Sequence, residues 1–412
     1  MYYFIRSYGN TIKPSFLTGL FSLIFLTSAS FSQEIPSIYT PVRPTYLGGA
    51  FTAIANDEDA IWTNPAGISR IRKARSRSTV NLVRFPAAAA GRNNQASDFL
   101  TSMKSGTDSV AASASSIDET KPFWAMAEAA PIMMIDMGKL PSVIGGYSHL
   151  TAKALVDKEM PTQASTEIVW DTGGIFSMAW TTQSNRFSIG VQGRYITRSA
   201  YEEYVPLTTL IDQSEMSKNF TKNSNSSTGL AVDTGVMLTL ADFWFPTIGV
   251  AAFNLPTGCK NDYLDPFSKR REITCGTAFK GQIKNPDAVS NLDPTDIRVG
   301  VSITPRLARK LALRIGLDAH HLLATSGESN YGFSEIPLQK KLHAGAELFI
   351  GNPLLPSPFS IGAGAGQGFA SAGGSLRLGF LSFDVAIYGQ DVSTSATPLE
   401  DRRAIAGFSL DF

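Results

Sequence analysis

Charge is scarce in this sequence. Asp, Glu, Lys and Arg make up 17% of the 412 residues, against about 25% in an average globular chain. Long apolar runs are missing too: beyond the first 32 residues, no segment approaches the roughly 20 apolar residues that a membrane-spanning helix needs. The formal net charge is only +1. These absences exclude a coiled coil, a charged disordered chain and a polytopic helical membrane protein, and nothing indicates nucleic-acid binding.

Motifs for catalysis or for a resident cofactor are also absent. The chain has no Gly-x-Ser-x-Gly elbow, no Walker P-loop and no His-Glu-x-x-His sequence, and the glycine-rich stretch 362–368 does not complete Gly-x-Gly-x-x-Gly. His320 and His321 are adjacent, so on a strand they would face opposite ways. His320 and His343 could share a face, where hydrogen-bonded histidines are expected. We therefore predict no enzyme activity, no cofactor and no metal.

The first 32 residues have the order of a secretory signal. Basic residues precede an apolar run at 16–26, and Ser30 and Ser32 stand at the −3 and −1 positions of a possible cleavage site before Gln33. We predict that 1–32 are removed on export; the alternative is a membrane anchor, for which the apolar run is too short.

Cysteine is nearly absent, with two residues in the whole chain. Cys259 and Cys275 are 16 positions apart, and an oxidising compartment favours a disulfide between them. Two free thiols are the alternative.

Two-residue alternation is what the sequence has in abundance. In 310–320, for example, Leu311, Leu313, Ile315 and Leu317 share one parity, whereas Arg314 and Asp318 share the other. Because successive side chains of a strand point to opposite faces, such stretches predict strands with one apolar and one polar face. Fourteen stretches behave this way: 79–86, 122–135, 142–150, 166–180, 186–199, 229–240, 246–254, 296–305, 310–320, 340–350, 357–365, 370–379, 382–390 and 403–412.

A soluble sandwich and a transmembrane barrel both use such strands, and the connections distinguish them. Long connections, such as 200–228 and 255–295, mostly alternate with short ones, which is the rhythm of outer-membrane barrels. The chain also ends on an alternating apolar stretch with Phe412 last, similar to the signal read by the barrel assembly machinery. We therefore predict an all-β, closed antiparallel transmembrane barrel of about 14 strands.

The segment before the first strand resembles a known family. Residues 46–69 read YLGGAFTAIANDEDAIWTNPAGIS. A glycine- and alanine-rich segment with acidic residues leading into Asn64, Pro65, Ala66 and Gly67 is similar to the N-terminal plug of the FadL-type long-chain fatty acid transporters. The related PorV-like barrels of type IX secretion share a similar motif.

This resemblance implies a monomeric barrel whose lumen is closed by an N-terminal hatch. We assign 33–78 to the hatch and 79–412 to the barrel. Independently of the family, Asn-Pro-Ala-Gly predicts a rigid turn, because Asn favours turns and Pro fixes φ. The acidic residues 57–59 could pair with lumenal arginines or simply line water.

Further site residues are predicted for a lateral exit and for the ligand. Gly145 and Gly146 lie within the third predicted strand, where glycine permits a kink. In the family a kink there opens a lateral exit, so we predict a gate at this pair; ordinary close packing is the alternative. The residues expected to contact the ligand are Phe51, Ile54, Trp62, Arg194 and Arg314.

The function that follows is passive outer-membrane transport of hydrophobic small molecules, either long-chain fatty acids or hydrocarbons. Extracellular loops would capture the ligand and the hatch would gate its passage. The alternative is a PorV-like adaptor of a protein secretion apparatus. Expected partners are outer-membrane lipid, the hydrophobic ligand, the barrel assembly machinery and, for the alternative, secretion-system proteins.

Overall fold

A computed structural model describes most of the chain. The described residues are 39–74, 79–84, 87–89, 123–137, 140–156, 163–182, 184, 186–263, 271–282, 292–323, 338–351, 357–392 and 398–411. The predicted signal sequence 1–32 and the terminal Phe412 lie outside them.

The fold is dominated by strands. Nineteen occur in the described residues: β1 (Thr79–Arg84), β2 (Ala87–Ala89), β3 (Phe123–Met137), β4 (Leu140–Val156), β5 (Gln163–Thr181), β6 (Phe187–Pro206), β7 (Asn225–Thr239), β8 (Thr247–Phe253), β9 (Gly258–Tyr263), β10 (Arg271–Gln282), β11 (Leu292–Pro294), β12 (Asp296–Ile303), β13 (Arg306–Ala308), β14 (Leu311–Ala319), β15 (Leu342–Ile350), β16 (Phe359–Gly366), β17 (Phe369–Leu378), β18 (Leu381–Asp391) and β19 (Glu400–Asp411).

The helices of the described residues are short: α1 (Val42–Tyr46), α2 (Ala60–Thr63), a 3-10 turn (Pro65–Gly67), α3 (Ile68–Ala74), α4 (Leu207–Ile211), α5 (Gln213–Asn223) and α6 (Leu338–Lys341). None of these helices is long and apolar enough to cross a membrane.

All strand pairs are antiparallel, and the pairing passes from neighbour to neighbour. It runs from β3 through β8 in chain order, continues from β8 to β12 and β14, and then follows chain order to β19. β1 pairs with β3 on one side and with β19 on the other. The hairpin of β9 and β10 pairs through β10 with the N-terminal end of β7, at residues 226–229.

The alternation located the long strands well, but predicted connections contain shorter strands that it missed, such as β2 and β13. The stretch 310–320, for example, corresponds to β14. The predicted connection 255–295 instead contains β9, β10 and β11. The polar sequence of β9, GCKNDY, has no apolar face and so gave no strand signal.

Burial along the strands is the reverse of that in a water-soluble sheet. In β14 the buried positions include Arg314 and Asp318, whereas Leu317 on the opposite face is 40% exposed. In β18, Ser382 is buried while Val385 is 55% exposed. The polar face of the sheet is therefore its covered face, and the apolar face points outward.

Residues 39–74, here called the N-terminal segment, cover the polar face, here called the inner face. Tyr46, Leu47, Phe51 and Ile61 of this segment are at most 1% exposed. They belong to a core cluster that also takes in inward side chains of the strands, such as Ile196. The core therefore lies between the segment and the sheet.

Glycines on the inner face let the segment approach the strands closely. Seven strands that follow one another in the pairing each place at least one glycine there, among them Gly190, Gly235, Gly249, Gly300, Gly316, Gly345 and Gly364. A Cβ built on Gly190 would lie 2.3 Å from the carbonyl carbon of Pro65, and one on Gly345 would lie 2.4 Å from the carbonyl oxygen of Leu47. Any larger residue would displace the segment.

Gly190→Ala should therefore weaken the packing of the segment. We expect a loss of about 1–3 kcal/mol, the usual cost of overpacking, measured as a lower midpoint of thermal unfolding in detergent. Gly193→Ala in the same strand is the matched control, because a Cβ there meets nothing within 4 Å. Equal midpoints for the two variants would contradict the close packing.

Candidate site on the inner face

Glu347 on β15 holds the N-terminal segment by its charge. Its carboxylate accepts hydrogen bonds from Arg43 Nε at 2.8 Å and Nη2 at 2.6 Å, and from Tyr46 Oη at 2.9 Å. Arg314, directly opposite on β14, donates from Nη1 to the same carboxylate at 2.6 Å. One buried carboxylate thus joins two residues of the segment to the strand beside it.

The electrostatics of Arg43 follow from this arrangement. Burial alone would lower the pKa of its guanidinium, but Glu347 and Asp57 together raise that pKa well above its usual value. Asp57 is also a hydrogen-bond acceptor for Arg43. Arg43 therefore stays charged inside the protein because two carboxylates replace the water that it has lost.

A second group of contacts holds the segment by its backbone. Asp318 Oδ2 accepts hydrogen bonds from the backbone N–H groups of Phe51 and Thr52 at 2.8 and 2.6 Å. His343 Nδ1 lies 2.6 Å from the carbonyl oxygen of Gly48, and it must be the donor because a carbonyl only accepts. The ring of His343 stacks on that of His320 with centroids 4.0 Å apart. The turn at 48–52 is thereby fixed to β14 and β15.

The Asn-Pro-Ala-Gly motif forms a turn seated on the inner face. Asn64 Oδ1 accepts from the backbone N–H of Ala66 at 3.1 Å, and Pro65–Gly67 form the 3-10 turn. Asn64 Nδ2 donates to the carbonyl oxygen of Thr52 at 2.8 Å and, more weakly, to those of Val236 and Val250 at 3.3 and 3.4 Å. The side chain therefore shapes its own turn and links it to β7 and β8.

The three predicted apolar ligand residues are all buried in the segment. Phe51 is 0% and Ile54 is 4% exposed, and Ile54 packs over Gly316. Trp62 is 8% exposed, stacks on Tyr39 at 4.4 Å and meets Tyr147 of β4 edge-on at 5.3 Å. The structure thus brings Trp62 to β4, while Phe51 and Ile54 lie against β14.

The two predicted arginines are apart and each has its own carboxylate. Arg194 on β6 binds Asp233 through Nε at 2.6 Å and Nη2 at 2.9 Å, and it is 1% exposed. Arg314 is held by Glu347. Their contact with a ligand remains a prediction, and the charge each would offer is already balanced.

Of the acidic residues 57–59, Glu58 reaches an arginine on a strand of the sheet, Arg377. Its Oε1 accepts from Arg377 Nη2 at 3.3 Å. Asp57 pairs with Arg43 of the segment itself, so its partner is local.

Arg70 of the segment contacts β7. It donates to Thr239 Oγ1 at 2.9 Å, and burial, together with the nearby charge of Arg314, lowers its pKa to about 10.

The pairing of β3 with β4, beside Trp62, is interrupted at the predicted gate. β3 and β4 pair continuously from Phe123 to Ala129 and again from Ile132, but Ala130 and Pro131 have no paired residue on β4. Proline cannot donate to a strand ladder. Gly146 lies in this gap, and a Cβ there would meet only the carbonyl oxygen of Gly173 at 3.4 Å. A Cβ on Gly145 would instead lie 2.4 Å from the carbonyl oxygen of Pro131.

Cys259 and Cys275 lie opposite each other on β9 and β10 and form a disulfide. The bond joins two strands of the hairpin attached to β7, away from the N-terminal segment. It therefore fastens a connection and takes no part in the inner-face site.

Comparison with solved structures identifies the fold. The Pseudomonas putida toluene transporter TodX superposes with a TM-score of 0.51 at 9% identity, covering 93% of this chain and 99% of that one. The ΔS2S3 mutant of TodX, described as a monoaromatic hydrocarbon channel, gives 0.54 at 9% identity over 90% and 99%. This chain has the fold of the FadL-type channels. The resemblance read from residues 46–69 is confirmed at the level of fold.

No protein-family model and no curated protein matches the chain.

The sequence did not predict Glu347, Asp318 and Arg43 as the residues that anchor the segment. The polar parity of 310–320 and 340–350 did mark Asp318 and Glu347 as inward-facing, but nothing in the local sequence indicated which residues of the segment they would meet.

Glu347→Gln should loosen the segment, because it leaves Arg43 and Arg314 without their shared charge. We expect a loss of about 3–5 kcal/mol, as when one partner of a buried ion pair is removed, measured by chemical denaturation in detergent. Glu167→Gln is the control: its pair with Lys153 spans 3.5 Å and its side chain is 42% exposed, so we expect about 0–1 kcal/mol. Similar losses of unfolding free energy in both variants would contradict the role of Glu347 in holding the segment.

Proposed function

We propose that this protein is an outer-membrane channel for hydrophobic small molecules. The observation that carries the proposal is the reversed burial of the strands, with paired charges inside and Leu, Ile, Val and aromatic side chains outside. In water such an outer surface would favour aggregation. In a bilayer it is the lipid-facing surface of a transmembrane barrel.

In this proposal the strands form a closed barrel of about fourteen strands. The strand pairing supports it, because β1 contacts β3 and β19 and so joins the two ends of the strand order. A barrel without free edges is the one sheet arrangement that satisfies its backbone within lipid. The short strand β2 pairs with the same two neighbours as β1, so the two count as one wall position.

The N-terminal segment is, in the same proposal, a hatch that fills the lumen. Its support is the set of contacts to the inner face of β6 to β8, β12 and β14 to β17, including Gln192 Nε2 to the carbonyl oxygen of Ile61 at 2.9 Å and Ser371 Oγ to that of Tyr46 at 3.0 Å. Such contacts fix a plug in one place and leave little free lumen around it.

An uncharged ligand fits this interior better than a fatty acid does. Arg194, Arg198 and Arg314 are each bound to carboxylates. A ligand carboxylate would have to compete with Asp233, Asp171 or Glu347 for them, and breaking a buried pair is costly. The solved TodX channel is described as carrying toluene, an uncharged aromatic hydrocarbon. We therefore place hydrocarbons ahead of fatty acids among the two predicted ligand classes.

An uptake assay tests the channel. Cells that lack hydrocarbon channels are given this gene, and the initial uptake of labelled toluene and of labelled oleate is compared with that of the empty-vector strain. We expect faster uptake of toluene and a smaller effect on oleate. If neither uptake changes while deletion of the gene from its own host empties the extracellular proteome, the secretion-adaptor alternative replaces the channel.

Gly146 gives a test of the lateral exit. Gly146→Val would place a branched side chain on the stretch of β4 that is unpaired with β3, where a Cβ meets only the carbonyl oxygen of Gly173 within 4 Å. We expect uptake of toluene to fall severalfold while the amount of folded protein in the outer membrane is unchanged.

Gly193→Val is the control for this test, since it also adds a side chain in open space but on a continuously paired strand. Uptake by Gly146→Val equal to that of Gly193→Val would remove the gate from the proposal and leave the channel itself standing.

A further inference from the structure

The connection between β7 and β8 holds two aromatic residues in a strained backbone. Trp244 has a φ of 59° and Phe245 a φ of 47°. Positive φ is uncommon outside glycine, and a bulky residue there is an outlier that the surrounding structure must maintain. The backbone N–H of Thr304, in the neighbouring connection, donates to the carbonyl oxygen of Trp244 at 2.6 Å and holds this shape.

The strained connection presents large apolar side chains to the outside. Phe243 is 72% and Trp244 is 44% exposed, and their rings stack at 4.9 Å. Leu307 on β13, three residues after Thr304, is 56% exposed. The strain therefore does not serve to bury these rings, which points to a partner outside the chain.

Three basic residues lie in the neighbouring connection, one of them beside the ring of Phe245. Arg306, Arg309 and Lys310 are all exposed, and the guanidinium carbon of Arg306 lies 5.9 Å from the ring centroid of Phe245. The neighbouring acid Asp242 is already paired with Arg186 at 3.0 Å. Within the described part of the chain, none of the three cations has a carboxylate within 4.0 Å. The surface combines an apolar tip with unbalanced positive charge.

We propose that this surface binds the headgroup of an anionic phospholipid. The patch consists of Phe243, Trp244, Arg306, Leu307, Arg309 and Lys310. Aromatic rings favour the boundary between acyl chains and headgroups, and Arg and Lys form charge-assisted hydrogen bonds to a phosphodiester. The inference rests on the membrane placement in the proposed function and is independent of transport.

A lipid suits the patch better than a soluble protein because the patch continues the outward apolar surface. Leu238 at the end of β7, Ile248 at the start of β8 and Val301 on β12 are 39%, 39% and 46% exposed. All three lie on strands that run directly into the two connections. An acyl chain can follow these side chains while its phosphate stays at Arg306, Arg309 and Lys310.

Quenching of tryptophan fluorescence tests the proposal. The purified protein is placed in phosphatidylcholine vesicles that contain a small fraction of brominated lipid, either phosphatidylglycerol or phosphatidylcholine. The contribution of Trp244 is the difference between the wild type and Trp244→Phe. We expect brominated phosphatidylglycerol to be enriched about fivefold around Trp244, the factor that one basic side chain near a membrane surface provides.

Arg306→Gln/Arg309→Gln/Lys310→Gln should abolish this preference. The matched control is Lys218→Gln/Lys222→Gln/Lys280→Gln, which removes three exposed charges from α5 and β10, and it should keep the preference. Equal quenching of Trp244 by the two lipids in the wild-type protein would overturn the headgroup site.

Trp170 and Trp180, which are 44% and 41% exposed on β5, report on the membrane itself. Their quenching by both lipids supports the membrane placement even if the headgroup site fails. Absence of any quenching at all three positions would overturn the placement and the site together.

Discussion

A buried charge needs an opposite charge beside it, and the carboxylate of Glu347 lies against two arginines. Its carboxylate meets Arg43 from the N-terminal segment and Arg314 from the adjacent strand, both at 2.6 Å. Because these charges are largely buried, their pairing holds the segment and the sheet in one relative position. The contacts of Asp318, His343 and Asn64 are short-range and depend on that position being kept. The inner face is thus held by ion pairs in addition to its apolar core.

Two requirements share each strand of this protein without conflict, because alternate residues serve different faces. Outward positions need bulk and apolarity, as Leu317 and Val385 provide. Inward positions need either a polar group that reaches the segment or no side chain at all. Glycine meets the second need at Gly190 and Gly345, where the segment backbone occupies the place of a Cβ. A strand rich in glycine would be weak in isolation, so here the contact with the segment and the pairing on both sides must supply the stability.

Much of the strand architecture could be predicted from the sequence, because alternation is a local signal. The predicted stretch 340–350 corresponds to Leu342–Ile350, and Asn-Pro-Ala-Gly predicted the turn that Pro65–Gly67 form. The partners of that turn and of Arg43 could not be predicted. Arg43 and Glu347 are about 300 positions apart, and only the order of the strands in the sheet brings them together. β9 was missed for a different reason, since its polar sequence GCKNDY has no apolar face to reveal it.

The anchoring of the N-terminal segment also bears on the route through the proposed channel. Removing the segment from the inner face would separate Arg43 from Glu347, and a small uncharged molecule makes no contact that could offset the loss of this buried pair. A local opening between β3 and β4 would avoid this loss. Between Ala129 and Ile132 the pairing of β3 with β4 is already interrupted, and Tyr147 and Trp62 line the inside at this point. An apolar molecule that leaves sideways here would disturb aromatic contacts and leave the pair of Arg43 with Glu347 in place.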